Sequence, residues 1–346
     1  MAKRKLDVFL VVGGDSAERD VSLDTGKGVH DALLKLGYRA VVADPARPHI
    51  LPSEDPSEFF ADTAIAVRPP GPSEGGRDSR RDFVAVLGRF GEFGCDVVFN
   101  ALHGGAGEDG TFQAVLDYMG IRYTGSGHCA SAVSMNKNTS KQLVAQGGVP
   151  VARQVFVDSP ACEPADVGDR VMAAMSLPVV VKPNQQGSSV GVTIVHSKDE
   201  LAGAFREATQ FGPYLVEQFI PGREITASML DGCDLPLIEI VPKQGFYDYQ
   251  NKYQPGSCEY LAPAPLPEVT TGAIVESAHA AYRALGCSGY ARVDFRLGDD
   301  GAHFFLEVNT LPGLTSSSLV PKAARAVGIE YAELVDRILR LSMRDE

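Results

Sequence analysis

With 346 residues the chain exceeds what one ordinary hydrophobic core organises, so two or three domains are expected. Its formal net charge of −12 at pH 7 is the opposite of a nucleic-acid binder's basic footprint, so no nucleic-acid partner is expected. The 44% hydrophobic and 22% charged residues suit a soluble globular protein, and no apolar run approaches the roughly 20 residues that span a bilayer, so no membrane partner is expected.

The opening "MAKRKLDVFLVVGG" puts basic residues ahead of an apolar stretch, as a secretory signal does. Its run Val8–Val12 is bounded by Asp7 and Gly13, short of the about 7–15 apolar residues such a signal needs, and the protein is expected in the cytoplasm. The six cysteines (Cys95, Cys129, Cys162, Cys233, Cys258 and Cys287) form no C-x-x-C pair and read as reduced, mostly structural thiols. "DVFLVV" is a short buried strand. A helix follows in which Val29, Ala32, Leu33 and Leu36 share one face and Gly37 supplies the stop. "RAVVA" and "DVVFNAL" (96–102) are further strands, the second leading into the helix "TFQAVLDYM" with Gly120 after it. This alternation implies an open parallel α/β sheet with ligands at the carboxyl ends of its strands. Residues 45–82 interrupt it with "PPGPSEGGRDSRR", part of which reads as an exposed loop.

From about residue 126 the pattern changes. The helical "NKNTSKQLVAQ" precedes the strand "ARQVFV", a helix, and a hairpin opened by "VVVK". Next come a helix over 198–209, strands "YLVEQFI" and "EITASML", and a proline-started helix over 267–285 ending at Gly286. A strand pair, 290–297 and 303–309, and two short helices close the chain. Such mixing of antiparallel pairs and helices predicts α+β domains behind the α/β one.

Within "YARVDFRLGDDGAHFFLEVNTLPG" (290–313), alternation puts Arg292 and Asp294 on one face, and Glu307 and Asn309 on one face of the returning strand. If Asp300-Gly301 forms a two-residue turn, Asp294 faces Glu307 and Arg292 faces Asn309. Opposed carboxylates with Cβ atoms about 4.5–5.5 Å apart repel unless something neutralises them. Asp, Glu and Asn offer hard oxygen donors that suit magnesium shared with phosphates. The same residues also fit a network in which Arg292 alone neutralises the acids.

Upstream, "VVVKPNQQGSSVGV" (179–192) carries Lys182 at the end of a strand, ahead of a glycine- and serine-rich loop. A P-loop has the reverse order, its lysine following the glycines at a helix start. Lys137 precedes another helix. Either lysine alone reads as a solvated charge, and the loop alone as a turn.

Taken in order, "GGDSAERDVS" (13–22), "ALHGGAGEDGTFQ" (101–113), "SMNK" (134–137), "KPNQQGSSVG", "VEQFIPGRE", "YDYQNKY" (247–253) and "EVNTLPGLTSSSLVP" (307–321) resemble the D-alanine–D-alanine ligase family of the ATP-grasp superfamily, over essentially the whole chain. The resemblance implies an N-terminal parallel α/β domain (1–125) followed by a two-subdomain ATP-grasp fold, with a central subdomain (126–220) and a C-terminal subdomain (221–346) carrying the metal site. It implies ATP-driven joining of two D-alanine molecules through an acylphosphate for peptidoglycan precursors, and a homodimer.

Carried onto this chain, the resemblance assigns Lys137 and Lys182 to ATP phosphates, with Ser188 and Ser189 in a loop closing over them. It assigns Glu217, with Phe219 and Ile220 after it, to adenine, and Glu224 to the ribose. Asp294, Glu307 and Asn309 would hold magnesium, or manganese in its place. Glu18 would hold the first D-alanine's ammonium, with His103 nearby, and would join Ser188 and Tyr253 in a hydrogen-bonded triad. Arg292 and the Gly313 N–H would stabilise the oxyanion. Lys252, Ser318 and Leu319 would meet phosphate and the second substrate. Gln186 stands where many relatives carry an acid, and "TSSSL" lacks a histidine some members have. The Lys252–Tyr253 pair points to D-alanine as acceptor, against D-lactate or D-serine. A catalytically silent nucleotide binder is opposed by the intact Arg292, Asp294, Glu307 and Asn309. A dinucleotide-binding dehydrogenase fails for want of G-x-G-x-x-G.

Overall fold

The computed structural model describes residues 5–16, 18–60, 77–159, 161–243, 245, 252, 254 and 256–343. Strands β1 (Asp7–Val11), β2 (Arg39–Ala43) and β3 (Val97–Asn100) form a parallel sheet in the order β2-β1-β3. Their apolar runs are buried almost throughout, as strands covered on both faces must be. Helix α1 (Arg19–Lys35) packs Val29, Ala32 and Leu33 onto this sheet, and Gly37 takes the positive φ of +74° that ends it. Helix α2 (Arg77–Gly88) begins inside the stretch expected to be loop. Among its described side chains Val86 and Leu87 are buried in the core and Phe83 packs against it, edge-on to Phe112, a single turn of apolar spacing too short to stand out as a period. Residues 61–76 of that stretch lie outside the described residues. Helices α3 (Thr111–Met119), α4 (His128–Met135) and α5 (Lys137–Gln146) follow.

A four-stranded antiparallel sheet comes next, built from β4 (Gln154–Val157), β5 (Val179–Pro183), β6 (Thr193–Val195) and β7 (Tyr214–Gln218) in the order β4-β7-β5-β6. Helices α6 (Pro164–Ala174) and α7 (Lys198–Thr209) bury Val167, Val171, Leu201 and Phe205 against Val179, Val181 and Val216. Strand alternation then turns Lys182 and Glu217 to the opposite face. That face is where the chemistry gathers.

The third sheet runs β10-β9-β8-β11-β12, comprising β8 (Gly222–Leu230), β9 (Leu237–Pro242), β10 (Cys258–Leu261), β11 (Tyr290–Gly298) and β12 (His303–Asn309). Strands β9 and β10 go beyond the sequence expectation, because "LIEI" is buried without a break and shows no alternation. Helix α8 (Glu268–Ala284) and the upstream α5 share this sheet's core through Ile274, Ala278, Ala281 and Val144. Helices α9 (Leu319–Ala326) and α10 (Tyr331–Leu341) return to the first sheet. There Val320, Ala324, Leu334, Val335 and Ile338 join its core, closing the chain's end onto its beginning. No described helix is long and apolar enough to cross a membrane.

Candidate active site

The acid pair comes from the β11–β12 hairpin. Asp294 does face Glu307, and Arg292 faces Asn309. The two-residue turn is corrected, however. Near the tip the partners are Leu297 and His303, and Gly298 N–H donates to the Ala302 carbonyl at 2.7 Å, leaving a three-residue loop with Gly301 at φ +82°. A bulge between Asp294 and Phe295 then leaves Leu306 unpaired and shifts the register back by one. The pairing at the acids is as expected because two irregularities cancel.

Both carboxylates are neutralised. Arg292 Nε donates to both Asp294 oxygens at 2.9 and 3.1 Å, its Nη2 donates to Oδ2 at 2.8 Å, and Thr226 donates to Oδ1 at 2.7 Å. Arg292 thus does neutralise an acid, as the residues alone allowed. Lys137 Nζ lies 3.0 Å from Glu307 and donates to the Gln186 carbonyl at 2.7 Å. The Gln186 contact uses the backbone, so the loss of an acid at that position leaves it intact. Burial pushes the Glu307 carboxyl up, but Lys137, Lys252 and Lys182 together hold it well below the ordinary carboxylate range.

Lys182 ends β5 and meets Glu217 of β7 at 2.9 Å. Lys141, on the same face of α5 as Lys137, lies 3.1 Å from the other Glu217 oxygen. Its ammonium donates to the Phe305 carbonyl at 3.0 Å, and Glu217 Oε1 receives no aligned hydrogen bond. Burial lowers Lys141 to about 8 with Glu217 opposing, whereas burial raises Glu217 and the two lysines more than reverse it, leaving it below the ordinary range. The Glu217 carboxylate is therefore committed to lysines. After it, Phe219 N–H donates to Pro178, and the Ile220 carbonyl accepts from Arg296.

The loop after Lys182 holds Ser188 and Ser189 at φ +50° and +58°, a conformation costing about 1–2 kcal/mol for each non-glycine residue. Ser188 Oγ donates to Glu18. The Glu18 carboxylate is wedged between two glycines: a Cβ at Gly104 would lie 2.8 Å from its Oε2, and one at Gly187 3.5 Å. His103 is buried, its Nε2 at 3.0 Å from Thr25 Oγ1 and its Nδ1 at 3.6 Å from Glu108. Burial first, then Glu18, raises the Glu108 carboxyl, and His103 opposes them. Gly313 lies against Ser318: an added Cβ would stand 2.8 Å from Ser318 Oγ, which itself bonds Thr315.

These residues line two cavities that share Lys137, Lys252 and Glu307. The smaller, about 160 Å³, takes Glu18, His103, Ser188, Arg292, Asn309, Gly313, Ser318 and Leu319. The larger, about 520 Å³, takes Lys182, Ser189, Glu217, Phe219, Ile220, Glu224 and Asp294. Burial first, then Asp294 and Glu307, raise Glu224 to about 7 against Lys252 and Arg296. Of the 247–253 motif only Lys252 lies among the described residues; Tyr253 and residues 247–251 lie outside them.

A family model described as "D-ala D-ala ligase N-terminus" matches residues 7–126, and one described as "D-ala D-ala ligase C-terminus" matches 143–340. The chain belongs to the D-alanine–D-alanine ligase family. The D-alanine–D-alanine ligase of Geotalea uraniireducens is 44% identical, with 96% of this chain and 94% of that protein covered. A Bacillus anthracis D-alanine–D-alanine ligase solved with ATP is 32% identical with a TM-score of 0.74, covering 99% and 98% of the two chains. VanG D-Ala:D-Ser ligase from Enterococcus faecalis is 26% identical with a TM-score of 0.76, covering 98% and 100%. The fold of this ligase is therefore the ATP-grasp fold behind an N-terminal parallel α/β domain.

Among the described residues no group of three or more His, Cys, Asp or Glu is placed to hold a metal ion by itself. Two carboxylates and one carboxamide nevertheless fit magnesium, which binds few protein oxygens and fills its octahedron with water and phosphate. Asp294 lines the larger cavity, Asn309 the smaller and Glu307 both, so the donor set straddles their junction. Four positioning contacts of this ligase site lie beyond the sequence reading: Lys141, Glu108, Thr226 and Thr315. Only Lys141 left a signal, a second lysine four residues after Lys137 on a helix with a buried face.

Proposed function

We infer that this ligase joins two D-alanine molecules to D-alanyl-D-alanine with ATP as co-substrate, in the synthesis of peptidoglycan precursors. The observation that carries the reading is the meeting of a large and a small cavity at Lys137, Lys252 and Glu307. ATP occupies the larger cavity, with adenine against Phe219 and Ile220, ribose at Glu224 and phosphates reaching Lys137, Lys182 and the Ser188–Ser189 loop. The two amino acids occupy the smaller one. Glu18 receives the first ammonium with His103, itself held by Thr25 and Glu108, nearby, and Ser318 and Leu319 receive the second substrate.

The first D-alanine carboxylate attacks the γ-phosphoryl group, giving an acylphosphate and ADP. This step needs positioning and charge neutralisation more than covalent chemistry from the protein. Magnesium, held by Asp294, Glu307 and Asn309, would supply further neutralisation of the transferring phosphoryl group. The second D-alanine amine then attacks the acyl carbon. Arg292 and the Gly313 N–H stabilise the oxyanion, Lys252 takes charge on the departing phosphate, and the amide forms as phosphate leaves. The strained Ser188–Ser189 turn closes over the junction and excludes water from the acylphosphate, with Tyr253 completing the Glu18–Ser188 contact.

Along the chain the working units are 1–125, 126–220 and 221–346. The working form is a cytoplasmic homodimer, which sedimentation equilibrium tests. The decisive assay supplies ATP, magnesium and D-alanine, measures phosphate release, and identifies the product by mass, with D-lactate and D-serine as parallel acceptors. D-Alanyl-D-alanine is the expected product; its absence overturns the reading.

A further inference from the structure

Away from both cavities, a cluster of reactive side chains stands on the outer surface where α3 meets α4. His128 opens α4 and Cys129 follows. Cys129 Sγ lies 3.1 Å from His128 Nε2, and the other ring nitrogen lies 2.5 Å from an Asp117 carboxylate oxygen. Tyr123 donates to the second Asp117 oxygen at 2.7 Å and fixes that carboxylate. With Asp117 accepting at Nδ1, the neutral ring carries its proton there and presents Nε2 as an acceptor to the thiol. Nucleophile, base and orienting acid therefore stand in sequence, the arrangement that activates nucleophiles in enzymes of unrelated fold. Among the described cysteines Cys129 is exposed, while Cys95, Cys162, Cys233, Cys258 and Cys287 are half-buried. The far end of the same helix contributes Ser134 and Met135 to the smaller cavity.

We propose that Cys129 is an activated thiol and a site of covalent exchange with low-molecular-weight disulfides. The Sγ proton passes to His128 Nε2, and the thiolate attacks one sulfur of the disulfide. The S–S bond breaks, the Cys129 mixed disulfide forms, and the departing thiolate takes the proton back from the imidazolium. The incoming disulfide is the only oxidant consumed. This inference does not depend on the ligase reading.

The test treats the reduced full-length protein with excess 5,5′-dithiobis(2-nitrobenzoate) under native conditions, follows release of thionitrobenzoate, and locates the label by peptide mass mapping. Oxidised glutathione serves as a second, aliphatic probe. The expected result is one fast phase that maps to Cys129 and is absent from Cys129→Ser. His128→Ala and His128→Gln should slow it about tenfold, and Asp117→Asn by about threefold, since exchange tracks the thiolate fraction. A wild-type rate in both His128 variants means the thiol reacts through exposure alone and overturns the proposal. So does a fast phase that maps to another cysteine.

Discussion

Replacing Lys141 with methionine should weaken ATP binding although Lys141 lines neither cavity. Lys182 Nζ sits 2.9 Å from Glu217, and Lys141 Nζ sits 3.1 Å from the same carboxylate. Two cations on one anion leave one net positive charge facing the larger cavity. Without Lys141, the Glu217–Lys182 pair is neutral. At 2.9 Å and an effective dielectric constant of about 20, their attraction is about 6 kcal/mol before desolvation, enough to hold Lys182 back from a phosphate. Losing one charge-assisted phosphate contact of about 1.5–3 kcal/mol raises the KM for ATP about 10- to 100-fold. Stability should fall by only about 1–2 kcal/mol, because Glu217 keeps a partner and methionine fills the stem's volume. Glu217→Gln alone should cost about 3–5 kcal/mol, as it leaves two buried ammoniums side by side. The double variant Lys141→Met with Glu217→Gln restores the single positive charge and should recover most of the ATP affinity. ADP release measured against ATP concentration at saturating D-alanine reads the effect, with thermal unfolding as the stability control. An unchanged KM in Lys141→Met refutes the charge argument, as does a double variant no better than Lys141→Met.

Lys182→Ala and Asp294→Asn should each lower turnover at least 100-fold while leaving the circular dichroism spectrum unchanged, a loss comparable to removing one electrostatic transition-state contact; unchanged turnover removes that residue from the site. The Glu217 carboxyl ionises below its ordinary value of 4.5 in the folded chain, so its contribution to stability is full above about that pH and is lost as pH falls through the range below it. Urea midpoints of the wild type and the double variant should therefore converge as the pH falls below 4.5; parallel curves contradict the sign. Gly191→Ala places a Cβ 2.8 Å from Pro183 and 2.9 Å from Phe211 at a φ of +69°, which should destabilise the loop after Lys182 by about 1–3 kcal/mol. Its effect on turnover should exceed its effect on global unfolding, since the strain falls on the closing loop.

Residues that act through local pattern were open to reading before any fold was known. Alternation alone put Arg292 and Asp294 on one face, and glycines and proline marked the ends of α1, α3 and α8. The order of lysine, small-residue loop and carboxylate hairpin was specific enough to name a family. Distances along the chain did not matter to that order. They matter to everything that depends on which elements touch. The pairing of Asp294 with Glu307 rests on a three-residue loop and a bulge whose offsets cancel, and no turn residue announces the bulge. Glu217 reads as an adenine ligand by position, yet its carboxylate answers to Lys141 and Lys182, 76 and 35 residues before it, because strands β5 and β7 are neighbours and α5, packed on β12, brings Lys141 to the same carboxylate. Ser188 and Ser189 are adjacent in the chain but serve different cavities, since consecutive positive φ angles turn the backbone between them. The side chains that do the chemistry were thus written in the sequence, whereas the charge each presents to a substrate is set by partners that only long-range packing brings within 3 Å or so.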